Sequence, residues 1–293
     1  MAQDEYREHA CDLCGANDPV ELPHSRHYTN GQPVHVCRSC GFVYVIRRRS
    51  SERIAEVWSN EIFGAGYTAA IPAVTARLTY VAEFVNQGVG LRAKRVCEIG
   101  GGEGAFLSMI REPRYGAEPF GIEPSPANGE KLRSLGIKHF TGTVEQFDAA
   151  GKPGEAPFDV VVMLWTLENC QDCRQMLSMA RRMLKPEGAV VVATGSRLLV
   201  PFKKPLHTYL QTNPTDTHCF RFSANTLQGI LAVSGFATAQ VNRYLDHDIL
   251  CAIGRPRPEG QPAQWRGDNF LEICSFFERW HVDTAMYYPE RLG

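Results

Sequence analysis

The segment Arg95-Val96-Cys97-Glu98-Ile99-Gly100-Gly101-Gly102-Glu103-Gly104-Ala105-Phe106 restricts the fold of this chain more than any other. A short apolar run enters a glycine-rich turn, and helical residues leave it. Glycines there let the backbone pass beneath a ligand with no Cβ in the way. The same alternation continues on both sides. Ala73 to Val85 has helical spacing and ends at Gly88 and Gly90. Pro119–Glu123, Lys138–Thr141, Phe158–Leu164 and Ala189–Ala193 read as further strands, with helices from Ser125 to Leu135 and from Cys173 to Leu184. A helix from Ser223 to Ser234 and strands Phe236–Arg243 and Asp248–Ile253 complete the pattern. Strands separated by helices of this length predict an α/β fold with a doubly wound sheet. Such sheets bind ligands beyond the carboxyl ends of their strands.

Four of the ten cysteines fall before residue 41, as Cys11-Asp12-Leu13-Cys14-Gly15 and Cys37-Arg38-Ser39-Cys40-Gly41. Two intervening residues turn both sulfurs of a pair toward one ion, and the following glycine permits a left-handed residue that closes the knuckle. Two knuckles offer four thiolates, a closed tetrahedral shell for a structural Zn²⁺ held by Cys11, Cys14, Cys37 and Cys40. His24, His27 and His35 lie between the pairs, but four cysteines suffice. Phe42-Val43-Tyr44-Val45-Ile46 then reads as a strand, and Arg47-Arg48-Arg49 as a solvated joint able to touch phosphate.

The chain of 293 residues is 44% hydrophobic and 22% charged, with a net charge of −1. A whole-chain basic footprint for nucleic acid is therefore missing. The first residues are polar and lack a secretory h-region. No run reaches the length of a membrane span. These features lead us to expect a cytoplasmic protein with reduced thiols. Cys97, Cys170, Cys173, Cys219, Cys251 and Cys274 then read mainly as buried small side chains.

The glycine turn loosely fits a dinucleotide pattern through Gly100, Gly102 and Ala105, but Glu98 and Glu103 would repel a pyrophosphate. Its Glu-x-Gly-x-Gly-x-Gly form resembles motif I of the class I S-adenosylmethionine (SAM)-dependent methyltransferases. Further matches follow in order. Gly121-Ile122-Glu123-Pro124-Ser125 is similar to the segment whose acid accepts both ribose hydroxyls. Gly142-Thr143-Val144-Glu145-Gln146-Phe147 resembles the loop at the adenine edge, with Thr143 in place of the usual Asp and Glu145 as its substitute. Phe158-Asp159-Val160-Val161-Val162-Met163-Leu164-Trp165-Thr166-Leu167-Glu168-Asn169 resembles motif IV, with Asn169 where a histidine is common. Leu184-Lys185-Pro186-Glu187-Gly188 is similar to the turn before the fifth strand. The resemblance implies a Rossmann-like seven-stranded sheet. It also implies SAM bound by Glu98, Gly100, Gly101, Gly102, Glu123, Pro124, Thr143, Val144, Glu145, Leu164 and Trp165.

Methyl transfer to a hydroxyl or C–H acid needs a base on the loops above the strand ends. The segment from Leu206 to Ser223 supplies His218 as first choice, with Tyr209 and His207 beside it. Ser223 reads as an N-cap. The knuckles joined to this core, with His218-Cys219-Phe220-Arg221-Phe222-Ser223, resemble bacterial methyltransferases of sugar and surface-polysaccharide pathways, including sugar C-methyltransferases. The resemblance implies a small-molecule acceptor of sugar or glycan type. The C-methyltransferases carry a further C-terminal domain, whereas only a short tail follows Arg255, which favours O-methylation. Two other readings stay open: a zinc-ribbon ribosomal RNA methyltransferase, and a non-catalytic SAM- and zinc-binding scaffold.

The organisation expected is a zinc module at 1–48, a helical connector at 49–90, the methyltransferase core at 91–255 and a tail at 256–293. Trp58 to Tyr67 reads as a connector or a cap over SAM. The tail holds an aromatic-rich helix around Phe270, Phe276, Phe277 and Trp280, able to pack on the core, lid the acceptor pocket or form a homodimer.

Overall fold

A computed structural model describes residues 6–62, 72–151, 157–195, 197–201, 204–210, 217–243 and 249–288. The segment from Phe63 to Tyr67 and Asp248, named above, lie outside the described residues.

The N-terminal part contains strands β1 (Arg7–Glu8), β2 (Pro19–Glu21), β3 (His35–Cys37), β4 (Val43–Tyr44) and β5 (Arg47–Arg48), with the short helix α1 (Ser25–Tyr28). Two helices, α2 (Ser51–Val57) and α3 (Pro72–Val89), lead to the large sheet. Its strands are β6 (Arg95–Ile99), β7 (Glu118–Glu123), β8 (Lys138–Thr141), β9 (Phe158–Leu164) and β10 (Leu184–Thr194). Between them run α4 (Ala105–Arg111), α5 (Pro126–Ser134), α6 (Val144–Ala149) and α7 (Cys173–Met183). Then follow α8 (Leu206–Leu210), β11 (Phe220–Arg221), α9 (Ala224–Val233), β12 (Phe236–Val241), β13 (Leu250–Pro256) and α10 (Phe270–Thr284).

The seven-stranded sheet has the order β12-β13-β10-β9-β6-β7-β8. All neighbours are parallel except β13, which is antiparallel to both β10 and β12. The centre is apolar on both faces: Val160, Val161, Val162 and Met163 of β9 and Val190, Val191 and Val192 of β10 are all buried. That double burial is why these strands read as continuous apolar runs. Register between β9 and β10 breaks from Leu184 to Ala189, where the Lys-Pro-Glu-Gly turn sits. Local caps set the helix starts. Ser125 accepts from the Asn128 amide, Asp172 from Gln175, and Ser223 forms a capping box with Thr226. The chain winds to opposite sides of β6, toward β7 and toward β9, and so opens a crevice at their carboxyl ends.

The second sheet joins the N-terminal strands to a segment between β10 and α9. Its order is β11-β4-β3-β2, with Phe220 opposite Tyr44 and Arg221 opposite Val43. A segment from beyond β10 thus completes the N-terminal sheet. The tail helix α10 buries Ile273, Phe276, Phe277 and Trp280 in one cluster with Val34, Val36 and Val43 and with Leu206, Tyr209 and Leu210 of α8. Its apolar face is therefore covered by the N-terminal sheet and α8, not by the large sheet. Among the described residues, no helix is long and apolar enough to cross a membrane.

The Arg47-Arg48-Arg49 joint departs from the expected solvated loop. Arg48 is wholly buried, because its guanidinium makes a two-point ion pair with Asp12 at 2.9 and 2.6 Å. The other two guanidinium groups lie against the Tyr6 ring.

Candidate active site

A cavity of about 820 Å³ opens beyond the carboxyl ends of β6, β7 and β9. Glu98, Gly100, Gly101, Gly102, Glu123, Pro124, Thr143, Val144, Glu145, Leu164 and Trp165 all line it. So do Tyr209 and His218.

The glycine turn follows β6, and the Gly100 and Gly101 amides donate to Ile122 O at 2.8 and 3.2 Å, tying it to β7. Gly102 has φ +53°, and a Cβ there would meet nothing within 4 Å. The backbone thus forms an open cradle facing the cavity. Glu123 ends β7 and is buried. Its Oε2 accepts from the Gly102 amide at 2.7 Å, and its Oε1 from the Ser125 amide at 2.8 Å and Asn128 Nδ2 at 3.4 Å. Burial pushes this carboxyl up, and those hydrogen bonds oppose the shift. Glu98 is buried too, and its Oε2 has no hydrogen-bond partner among the described residues. Burial and then the Glu123 charge push it well above the usual carboxylate range. A cationic ligand beside Glu98 would restore its charge and repay the desolvation.

Thr143 is used locally. Its side chain accepts from the Gln146 amide at 3.3 Å, and Gln146 Oε1 accepts from the Thr143 amide at 2.9 Å. This capping box starts α6 and leaves Glu145, in the first turn, as the acid facing the cavity. Trp165 has φ +52°, unusual for a bulky residue. It is held there by its amide, which donates to Ala193 O at 2.8 Å.

The half of the cavity beyond β9 and β10 has a different character. His218, Lys204, Arg197, Tyr209 and Trp280 line it, together with Glu168, Asn169 and Gln171. Burial first, then the Arg221 and Lys204 charges, holds His218 well below the usual histidine range. The imidazole is therefore neutral near pH 7, with a lone pair able to take a proton. Glu168 is 2% exposed and burial pushes its carboxyl up to about 7. Its Oε1 accepts from the Thr194 hydroxyl, whereas Oε2 has no partner among the described residues. Asn169 Nδ2 donates to Trp165 O at 2.7 Å, which fixes the amide; among the described residues Oδ1 has no donor and Gln171 Nε2 no acceptor.

Glu168, Asn169 and Gln171 were not among the residues expected at the site. The signal was available: a carboxylate and two amides in the turn that follows the apolar run Val160–Leu164. His207 does not join the cavity. It lies near Tyr28 and Tyr288, with ring centroids 6.4 and 5.2 Å away. The reason is helical geometry: His207 and Tyr209 are two positions apart on α8, so they face opposite sides.

The four knuckle sulfurs lie within 4.8 Å of one another, with Cys11–Cys40 and Cys14–Cys37 both at 3.5 Å. Tetrahedral zinc at about 2.3 Å from each sulfur needs separations of about 3.8 Å. The donor set and its compactness therefore fit the ion. Gly15 and Gly41 have φ +77° and +70°, closing both knuckles as the spacing predicts.

A family model described as a methyltransferase domain matches residues 74–241. The chain is 31% identical over 120 residues to the ubiquinone biosynthesis O-methyltransferase of Azorhizobium caulinodans, covering 38% of this chain and 44% of that protein. It is 36% identical over 109 residues to the protein of that name from Bradyrhizobium diazoefficiens, covering 35% and 40%. The chain thus spans less than half the length of these relatives. Among solved structures, it is similar to Burkholderia thailandensis 1,6-didemethyltoxoflavin-N1-methyltransferase with bound substrate and S-adenosylhomocysteine. That match has a TM-score of 0.53 and 15% identity, covering 74% of this chain and 96% of that one. The methyltransferase bound to the Trm112 activator of Haloferax volcanii gives 0.52 and 15%, covering 69% and 97%. At such identity the likeness concerns the fold.

Proposed function

We propose, from the premise that the chain belongs to the methyltransferase-domain family, that it transfers a methyl group from SAM to a hydroxyl of a small-molecule acceptor. The observation that carries this reading is the division of one cavity. Two buried carboxyls and an open glycine cradle lie at the end of β6 and β7, and a neutral histidine with unsatisfied polar groups lies beyond β9 and β10.

When bound, SAM supplies an electrophilic methyl on a sulfonium. Glu98 would face its cationic methionine end and regain its charge there. Glu123 would accept from the ribose hydroxyls beside its present amide donors, since each carboxylate oxygen can take a second hydrogen bond. Gly102 would let the backbone approach. Val144, Leu164 and Trp165 would wall the adenosine, with Glu145 at the adenine edge. His218 would take the acceptor's proton as its oxygen attacks in line. Glu168 and Asn169 would accept hydrogen bonds from the acceptor, and Gln171 would donate one. Zn²⁺ would sit on Cys11, Cys14, Cys37 and Cys40; four thiolates leave no open position, so its part is structural.

Two acceptor types suit this wall. The cysteine module favours the sugar or glycan type, and the relatives' names favour a ubiquinone-type hydroxyl. The test is a transfer assay with labelled SAM against nucleotide sugars, simple glycosides and hydroxylated aromatic rings. Label in a hydroxyl acceptor that is lost in His218→Ala supports the reading. Label in structured RNA, or in no acceptor despite SAM binding, contradicts it.

A further inference from the structure

Arg48 is one residue of a triplet that looks like a solvated joint, yet it lies where three parts of the molecule meet. Its two-point pair with Asp12 reaches the first knuckle, since Asp12 stands between Cys11 and Cys14. Its Nη1 also donates to Gln171 O at 2.7 Å, in the loop that carries Glu168 and Asn169. Its Nε donates to Val45 O at 2.6 Å, and the guanidinium lies 4.4 Å from the Phe220 ring centre. Phe220 is two residues from His218. The Val45 amide in turn donates to Cys219 O at 2.9 Å. Four of the five guanidinium N–H donors are therefore spent on three separate segments.

A buried ion pair of this kind is seldom worth more to stability than a packed apolar pair, so its main effect is to specify geometry. Only a planar fork meets a carboxylate at two points while donating sideways to two carbonyls; a lysine ammonium cannot. The cofactor half has its own bracing, Glu123 on the Gly102 amide and the glycine turn on Ile122 O. In the acceptor half, Gln171 and Phe220 sit at a junction where β11 packs on the Leu167–Asn169 turn through buried apolar side chains. They belong to different segments, and both touch the Arg48 guanidinium.

We infer that Arg48 is a positioning residue through which the metal in the four-cysteine cluster orders the acceptor end of the cavity. An ion on Cys11 and Cys14 fixes the turn that presents Asp12. Asp12 fixes the Arg48 fork, and the fork sets the distance between the 168–171 wall and the 217–221 segment bearing His218. Glu123 and the glycine turn of the cofactor end are held by their own hydrogen bonds, apart from this chain of contacts. The inference rests on the reading of the far half of the cavity as the acceptor site.

The test uses the full, zinc-loaded chain and three readouts: metal content, S-adenosylhomocysteine affinity by calorimetry, and amide hydrogen exchange. Arg48→Met keeps one zinc per chain and an affinity within about twofold of wild type, while amides of 167–173 and 217–222 exchange about tenfold faster or more, a loss confined to those two segments. Arg48→Lys behaves like Arg48→Met. Wild type stripped of zinc by a chelator shows the same footprint, with β6 and β7 still protected. Retained protection of the two segments in either variant or in the stripped protein overturns the inference, as does faster exchange spread evenly over the chain. If Arg48→Met does not fold, Arg48→Lys and the stripped wild type decide by the same footprint. Failure of the zinc-loaded wild type to bind S-adenosylhomocysteine defeats the functional reading instead, and the exchange pattern is read separately.

Discussion

The Thr194 hydroxyl donates to Glu168 Oε1 at 2.7 Å, joining the end of β10 to the turn after β9. The other oxygen is left facing the cavity side without a partner among the described residues. Burial pushes this carboxyl up to about 7 from 4.5. The folded state thus holds the proton more tightly than the unfolded chain. That contribution is complete below pH 4.5 and is lost as pH rises through about 7. Glu168→Gln cannot titrate. Between pH 5 and pH 8 its stability should gain on wild type by about 2–3 kcal/mol, as measured by urea unfolding at each pH. A pH-independent difference would show that Glu168 is not held protonated.

His218 is depressed by burial and by the neighbouring Arg221 and Lys204 charges. A depressed histidine keeps its neutral, basic form as pH falls below its ordinary value. The acid limb of the kcat profile should therefore lie below the ordinary histidine range. Lys204→Met removes one cation and should move the limb upward. His218→Ala should abolish turnover and leave S-adenosylhomocysteine affinity unchanged. An acid limb that stays put in Lys204→Met would take His218 out of the base role.

Gly102 forms the cradle whose open side meets nothing within 4 Å. Gly102→Ala puts a methyl group there and strains a positive φ by about 1 kcal/mol. The variant should fold, with a thermal midpoint lowered by a few degrees, yet bind S-adenosylhomocysteine about tenfold or more weakly. Equal affinity would mean that the cofactor does not pass over this turn.

Asp268 ties the tail to the second knuckle and to the start of α9. It accepts from Ser223 Oγ and from Asn225 Nδ2 at 2.7 Å, and its amide donates to Cys40 O at 2.9 Å. Asp268→Ala should cost about 1–3 kcal/mol in stability. Cofactor affinity should be unaltered, because Asp268 is remote from the cradle. A tenfold loss of cofactor affinity in a folded variant would contradict this placement.

Much of the large sheet was legible because its signals are local. Strands β6, β8 and β9 begin and end at the residues expected from the sequence, and the capping side chains Ser125 and Ser223 stand directly before their helices. Pairings across long stretches of sequence were not legible. Nothing near Arg48 indicates Asp12 or Gln171 as its partners, so a buried fork looked like a solvated run. The pairing of β11 with β4 joins residues that local periodicity cannot relate. Helix α6 was read as a loop because only six residues follow its cap. Tyr209 and His207 shared one motif, and only the helical phase of α8 separates them. Glu168 was overlooked beside the more conspicuous substitution at Asn169, since its isolation depends on Thr194 taking one of its two oxygens.

The most direct test of the central claim is calorimetric titration of the full, zinc-loaded chain with SAM, beside Glu123→Ala. The account predicts saturable binding at one site per chain, with Glu123→Ala weakened about a hundredfold through loss of the carboxylate that ends β7. Folded wild-type protein that takes up no SAM, or a Glu123→Ala variant that binds as well as wild type, would contradict it.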